Sequence, residues 1–264
     1  MNRKGRRPAL AALALALFPS VAIGAGVRTD FRVVPSFFTG DFGGSGNTDL
    51  YFIPLIFTAR GSRNDFRITV PYLSIKSDDL VAIIGGQVIP IGMGTTTESG
   101  LGDVVVRDDF FYLSGGNGRP WLYATARLKF PTADETRGLG SGEFDYGPGA
   151  GIIQPVGNRC TLLGEAIYMV RGDPPGLDFQ NTWWGFIGGE SRLSDSDRLS
   201  LYYDRRESVV PGSDDIASLI LGYSHEFTET LMLRSFATVG LTETAEDYGF
   251  GLGVVLRDDS RELP

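Results

Sequence analysis

The chain has 264 residues, 42% of them hydrophobic, with a formal charge of −8 and a single cysteine, Cys160. One cysteine excludes an intramolecular disulfide, and the acidic balance argues against nucleic acid as a partner. No stretch of 18 or more consecutive apolar residues exists, which excludes a membrane-spanning helix.

The N-terminus is basic (Arg3, Lys4, Arg6, Arg7), then apolar from Ala9 to Phe18, then small through Gly26. This three-part pattern predicts a secretory signal peptide over residues 1–24, cleaved after Gly24. Removing it takes away four basic residues and no acidic ones, so the formal charge moves from −8 to −12. With Lys4 gone, only Lys76 and Lys129 remain among the lysines, and arginine carries the positive charge.

From residue 25 onward the chain alternates strand-like segments with connections of two lengths. Twelve segments are predicted: 30–38, 48–59, 64–74, 101–113, 120–130, 143–154, 160–171, 179–190, 197–206, 214–226, 230–239 and 247–257, with ten or fourteen as the alternatives. Several have the period of two that gives a strand one apolar face. Leu122, Ala124, Ala126, Leu128 and Phe130 oppose Trp121, Tyr123, Thr125, Arg127 and Lys129. In the last segment Tyr248, Phe250, Leu252, Val254 and Leu256 oppose Gly249, Gly251 and Gly253. The run Leu50-Tyr51-Phe52-Ile53 does not alternate, and Asp108 falls on an otherwise apolar face.

Short connections (60–63, 114–119, 155–159, 191–196, 227–229) follow every even segment and are rich in Gly, Asn, Asp and Ser, as tight turns require. Long ones (39–47, 75–100, 131–142, 172–178, 207–213, 240–246) follow the odd segments. Such a beat predicts an all-β fold: a transmembrane antiparallel up-and-down β-barrel of the bacterial outer membrane, short turns and both termini in the periplasm. Aromatic residues near segment ends, among them Tyr51, Tyr72, Trp121, Trp183, Trp184 and Tyr248, suit interfacial girdles.

The connection 75–100 is the longest. Leu80 to Ile84 and Gln87 to Ile91 are β-branched runs around Gly85-Gly86, which reads as a hairpin. It either folds into the lumen or over its mouth as a gate, through Val81, Ile83, Ile84, Val88 and Ile89, or it stands outside and extends the wall, or it adds two strands.

Alternation assigns Arg67, Arg107, Asp109, Arg127, Lys129, Asp145, Glu165, Arg198, Asp204, Arg206 and Arg234 to the lumen. Charges there must pair or meet water, and they either tune which solutes pass or brace a closed interior. A catalytic set is not expected. His225 is the one histidine, and Ser224 beside it must point to the opposite face of the strand. One histidine also removes the usual histidine metal sites. The acidic pairs Asp78-Asp79, Asp108-Asp109, Asp214-Asp215 and Asp258-Asp259 read as solvated tips, with cation binding as the alternative. Neither metal nor cofactor is expected.

The run Thr125-Ala126-Arg127-Leu128-Lys129-Phe130-Pro131-Thr132-Ala133-Asp134, continuing through Gly138-Leu139-Gly140-Ser141-Gly142 to Asp145-Tyr146-Gly147, resembles the outer-membrane proteins named for the meta-pathway of phenol degradation, a transporter family. Gly100-Leu101-Gly102-Asp103 and Val70-Pro71-Tyr72 are similar to two further motifs of that family. The resemblance covers most of 30–257 and implies a barrel of about twelve strands that passes hydrophobic or aromatic compounds, with no catalytic set. The chain departs from barrels generally at its end, where Arg257 to Pro264 follows the last strand in place of a terminal aromatic residue.

The expectation is therefore a passive channel for a small-molecule solute, with outer-membrane lipid, lipopolysaccharide and the barrel-assembly machinery as partners. A structural or adhesive barrel with a plugged lumen is the alternative, and a lipid-modifying enzyme the third reading.

Overall fold

The computed structural model describes residues 27–116, 118–174 and 178–258. The expected leader over 1–24 and the end of the tail lie outside these residues. The described chain is almost entirely strand: β1 (Arg28–Val33), β2 (Ser36–Gly40), β3 (Thr48–Arg60), β4 (Asn64–Ile84), β5 (Gln87–Leu101), β6 (Val104–Leu113), β7 (Trp121–Phe130), β8 (Asp145–Val156), β9 (Cys160–Met169), β10 (Thr182–Arg192), β11 (Asp197–Arg206), β12 (Ile216–Glu226), β13 (Leu231–Gly240) and β14 (Tyr248–Arg257). One 3-10 turn spans Glu135–Arg137.

Fourteen segments make twelve staves. β1 and β2 both pair with β3 on one side and β14 on the other, so they are one stave broken at Val34-Pro35. Proline cannot donate to a ladder, which is why the break falls there. β5 and β6 both pair with β4 and are interrupted at Gly102-Asp103. All pairings are antiparallel, and β14 closes on β1 and β2. Closure satisfies the backbone of every stave and leaves no free edge.

The two faces of the wall differ as the alternation requires. Phe57, Tyr72, Leu101, Ile152, Trp183, Leu201, Leu221, Phe250 and Leu252 are exposed on the outer face. The inner face of β14 is Gly249, Gly251 and Gly253. A side chain on Gly253 would run into the Val33 carbonyl oxygen and Val34 Cα, where the broken stave leans inward. The glycine row therefore makes room for the kink, and Leu252 N–H donates to the Pro35 carbonyl across it at 3.1 Å.

Asp108 lies on the face opposite its neighbours Arg107 and Asp109, paired in register with Phe66 and Ala126. It is buried there beneath Asn64, whose side-chain amide donates to it at 3.2 Å. The amide serves only Oδ1, and among the described residues Oδ2 is buried without a hydrogen-bond partner.

Residues 75–100 continue β4 and β5 beyond the wall as one hairpin, which keeps the stave count at twelve. Gly85 and Gly86, both at positive φ, form its two-residue tip between Ile84 and Gln87, the geometry a tight hairpin turn demands. Register breaks between Ser77 and Asp79 and between Leu80 and Val81 bend it. Thr96 repairs the ladder there: its hydroxyl accepts from Val81 N–H and donates to the Asp79 carbonyl, each at 3.0 Å.

The bent hairpin lies across the loop end of the barrel. It springs from β4 and β5, yet its tip meets the β7–β8, β9–β10 and β11–β12 connections. Ile83 N–H donates to the Gly138 carbonyl at 2.7 Å, and Arg171 Nη1 donates to the Gly85 carbonyl at 3.3 Å. The Gln87 side chain donates to the Glu207 carbonyl at 2.8 Å and accepts from Val209 N–H at 3.1 Å. Elements that far apart around the wall can be bridged only by a chord across the mouth.

Candidate functional site

The inside of the barrel is built in tiers. At the loop end sits the hairpin cap with two apolar clusters. Val81 and Val88 are buried with Phe42, Leu73, Ile75 and Leu139, and Ile83 packs against them. Ile84 is buried with Ala82 and Val209, with Ile89 against that group. All five apolar hairpin residues singled out in the sequence thus pack into the cap itself. The base of the cap is fixed by Asp79, whose carboxylate accepts from Ser45 N–H at 2.7 Å, Gly46 N–H at 2.7 Å and the Ser45 hydroxyl at 2.9 Å. The Gly46 and Ser45 donors hold this carboxyl below the usual carboxylate range.

Beneath the cap lies a charge network. Lys129 Nζ donates to Asp103 at 2.7 Å, the Ser141 hydroxyl at 2.8 Å and the Glu143 carbonyl at 2.8 Å, with Asp145 at 3.6 Å. Asp145 in turn accepts from Arg171 at 3.0 Å. Arg171 therefore joins the buried network to the hairpin tip.

The middle tier is an arginine row. Arg67, Arg107 and Arg127 are cross-strand partners on β4, β6 and β7. Like charges in register repel unless each finds compensation. Arg107 finds it on another stave and on its own: Nη1 donates to Glu165 Oε1 at 2.9 Å and Nη2 to Glu165 Oε2, while Nε donates to Asp109, two residues along β6, at 2.8 Å. The Tyr123 hydroxyl adds a bond to Glu165 at 2.7 Å. Arg127 lies over the Trp184 ring at 4.6 Å, and Arg206 lies over the same ring at 4.6 Å, the placement that a cation–π contact requires. Trp184 Nε1 donates to Asp204 at 2.9 Å, and Asp204 also takes Arg206 Nε at 2.8 Å. Among the described residues Arg67 has no such partner, and its Nε is buried without one.

Toward the turn end the lumen opens into two joined cavities. The upper one, about 360 Å³, is walled by Phe38, Phe52, Pro54, Tyr202, Ile220 and Phe236. The lower one, about 420 Å³, is lined by six arginines and three carboxylates. Glu190, Arg198, Ser224 and Arg234 line both. Asp30 pairs with Arg32 at 2.7 Å and with Arg60, and Glu226 pairs with Arg198 at 2.6 Å and Arg257 at 3.1 Å. Glu190 stands 3.6 Å from Arg198. Among the described residues these ion pairs leave Arg67 and Arg234 unmatched.

The eleven charged residues assigned to the lumen thus fall into three groups. Lys129 and Asp145 sit under the cap, Arg67, Arg107, Asp109, Arg127, Glu165, Asp204 and Arg206 form the middle tier, and Arg198 and Arg234 line the lower cavity, which Arg67 also reaches. Sequence reading missed Arg171, Glu190 and Glu226, and it placed Trp184 in the outer girdle. Trp183 faces outward, 52% exposed, while Trp184 turns in. The parity of Glu190 along β10 carried that signal.

His225 Nδ1 lies 2.8 Å from Asp197, which also accepts from the Tyr223 hydroxyl at 2.5 Å, and its ring packs on Phe227. Ser224 faces the lumen cavities instead, so Ser224 and His225 do not combine into a nucleophile–base pair. Among the described residues no group of three or more His, Cys, Asp or Glu could hold a metal ion.

No protein-family model matches the chain, and no curated protein does. Its fold is similar to solved structures at low identity. An outer membrane channel from Pseudomonas putida F1 superposes with a TM-score of 0.66 at 16% identity, covering 92% of this chain and 100% of that one. The translocator domain of the autotransporter NalP from Neisseria meningitidis gives 0.52 at 14%, covering 96% and 95%. The transport unit of the autotransporter AIDA-I from Escherichia coli gives 0.50 at 11%, covering 96% and 98%. These likenesses establish the fold of outer-membrane β-barrels.

Proposed function

We propose that the protein is a channel of the bacterial outer membrane that passes small hydrophobic or aromatic solutes passively, as the motif resemblance to the transporters of the meta-pathway family suggests. The observation that carries this reading is the upper lumen cavity, walled by aromatic rings over charged groups. A barrel needed only as a brace would fill that space with side chains. Solved outer-membrane barrels, one of them a channel, support the location by their shared fold. In this reading the short turns and both termini lie in the periplasm, and the hairpin cap faces out as a gate. Outer-membrane lipid and lipopolysaccharide surround the exposed apolar belt, and the barrel-assembly machinery inserts the chain.

The alternative, a plugged structural barrel, draws support from the four hydrogen bonds that pin the hairpin tip to distant loops. One experiment separates the two. Purified protein is reconstituted in planar bilayers and in liposomes loaded for solute uptake. Discrete conductance steps and uptake of a small aromatic solute are expected. Sealed vesicles, with the protein shown to be folded and inserted, would overturn the channel reading in favour of the brace.

A further inference from the structure

The junction of the two lumen cavities carries an arrangement that bracing does not explain. Arg234 lines both cavities, and its side chain is open to them. Among the described residues it has no ion pair and no side-chain hydrogen bond. Its neighbour Arg198 is committed to Glu226 and Glu190. Phe38, Phe52 and Phe236 stand on the other side of the junction, in the upper cavity. Below, Arg67 is a second unmatched cation with a buried, unpartnered Nε. The Arg234 guanidinium is exposed to the lumen and makes no ion pair among the described residues, so its fork is open to an anion that displaces the water there.

We propose that this junction is a binding site for amphiphilic carboxylates, a single carboxylate carried on an apolar body. The carboxylate sits on the guanidinium fork of Arg234, a geometry that favours two parallel hydrogen bonds. The ring or short chain lies among Phe38, Phe52 and Phe236. Arg67 adds a further positive charge on the turn-end side. The cavity volume of about 360 Å³ is within the range of small-molecule sites. This assignment names the substrate class of the channel read above and rests on that reading for its role, though the site itself is tested without transport.

Binding is measured by titration calorimetry on the detergent-folded wild-type protein, with benzoate and octanoate as the anionic probes and benzamide as the uncharged one. Saturable binding of at least one anion is expected, with benzamide weaker by about tenfold or more, the worth of a charge-assisted contact. Arg234→Gln should lose about the same factor, Phe236→Ala should weaken the anion without restoring benzamide, and Arg205→Gln on the outer face should change nothing. Equal binding of benzoate and benzamide, or no saturable anion binding, would overturn the site even if no variant folds. Benzoate preferred over octanoate assigns the aromatic class, and the reverse assigns the acyl class. Conductance without anion binding would sink the site and spare the channel, whereas anion binding in sealed vesicles would do the reverse.

Discussion

At the residue scale the lumen is a problem in charge compensation. Arg107 and Glu165 face each other from distant staves with side chains 13% and 5% exposed. Removing Glu165 takes away the carboxylate that holds both Nη donors of Arg107 and leaves this buried cation with Asp109 alone. Glu165→Ala is expected to destabilise the folded barrel by about 3 kcal/mol, read as a lowered urea midpoint in detergent. Glu98→Gln, which breaks the pair with Arg137 on the exposed hairpin, should cost under about 1 kcal/mol. Equal effects from both would refute the account. The inward direction of Arg67, Arg107 and Arg127 was legible from alternation alone. Their compensation was not, because Glu165 and Trp184 reach them from other staves, and no periodicity encodes which stave faces which. Trp184 was the harder case, since Trp183-Trp184 reads as a girdle pair until Glu190 fixes the parity of β10.

At the element scale the informative piece is the capping hairpin. Gly85-Gly86 between β-branched runs made the turn legible, and the strand propensity of both arms was plain. Its destination was not, because Gln87 meets Glu207 and Val209 more than a hundred residues away. If the hairpin gates the lumen, Gln87→Ala should raise the open fraction of single channels by removing two bonds at the tip. Unchanged gating would argue that the apolar clusters alone hold it. The base of the hairpin should respond to acid in a defined way. Asp79 has a depressed pKa, so its contribution is complete above the ordinary carboxylate range, near about pH 4. It is lost only as the pH falls through the lower folded value. Hydrogen-exchange protection of the Ser45 and Gly46 amides, taken relative to the intrinsic rate at each pH, should therefore hold at pH 5 and fall well below pH 4. In Asp79→Asn that pH-dependent change should vanish.

At the scale of the whole molecule, the alternating connection lengths carried most of the architecture, because antiparallel neighbours joined by tight turns pair in sequence order. Stave number and faces followed from it. The break at Val34-Pro35 did not, although the proline was in view, since a barrel can absorb such a break only where its partner stave supplies a glycine row. A closed sheet of this kind should run anomalously on a denaturing gel when unboiled and shift on boiling, with a strand-dominated circular dichroism spectrum. Absence of a shift, together with solubility without detergent, would contradict a membrane barrel.

The closure between β14 and the β1–β2 stave has a further consequence for biogenesis. Every other stave can find its partner within a few tens of residues, but this seam joins the two ends of the chain. The entropy of closing so large a ring rises only logarithmically with its length, so the penalty falls less on the finished protein than on the time taken to reach it. Until β14 arrives, the first stave has one unpaired edge, open to the wrong neighbour. The glycine row in β14 leaves the clearance that the last-made stave needs if it is to seat against the kink at Val34-Pro35.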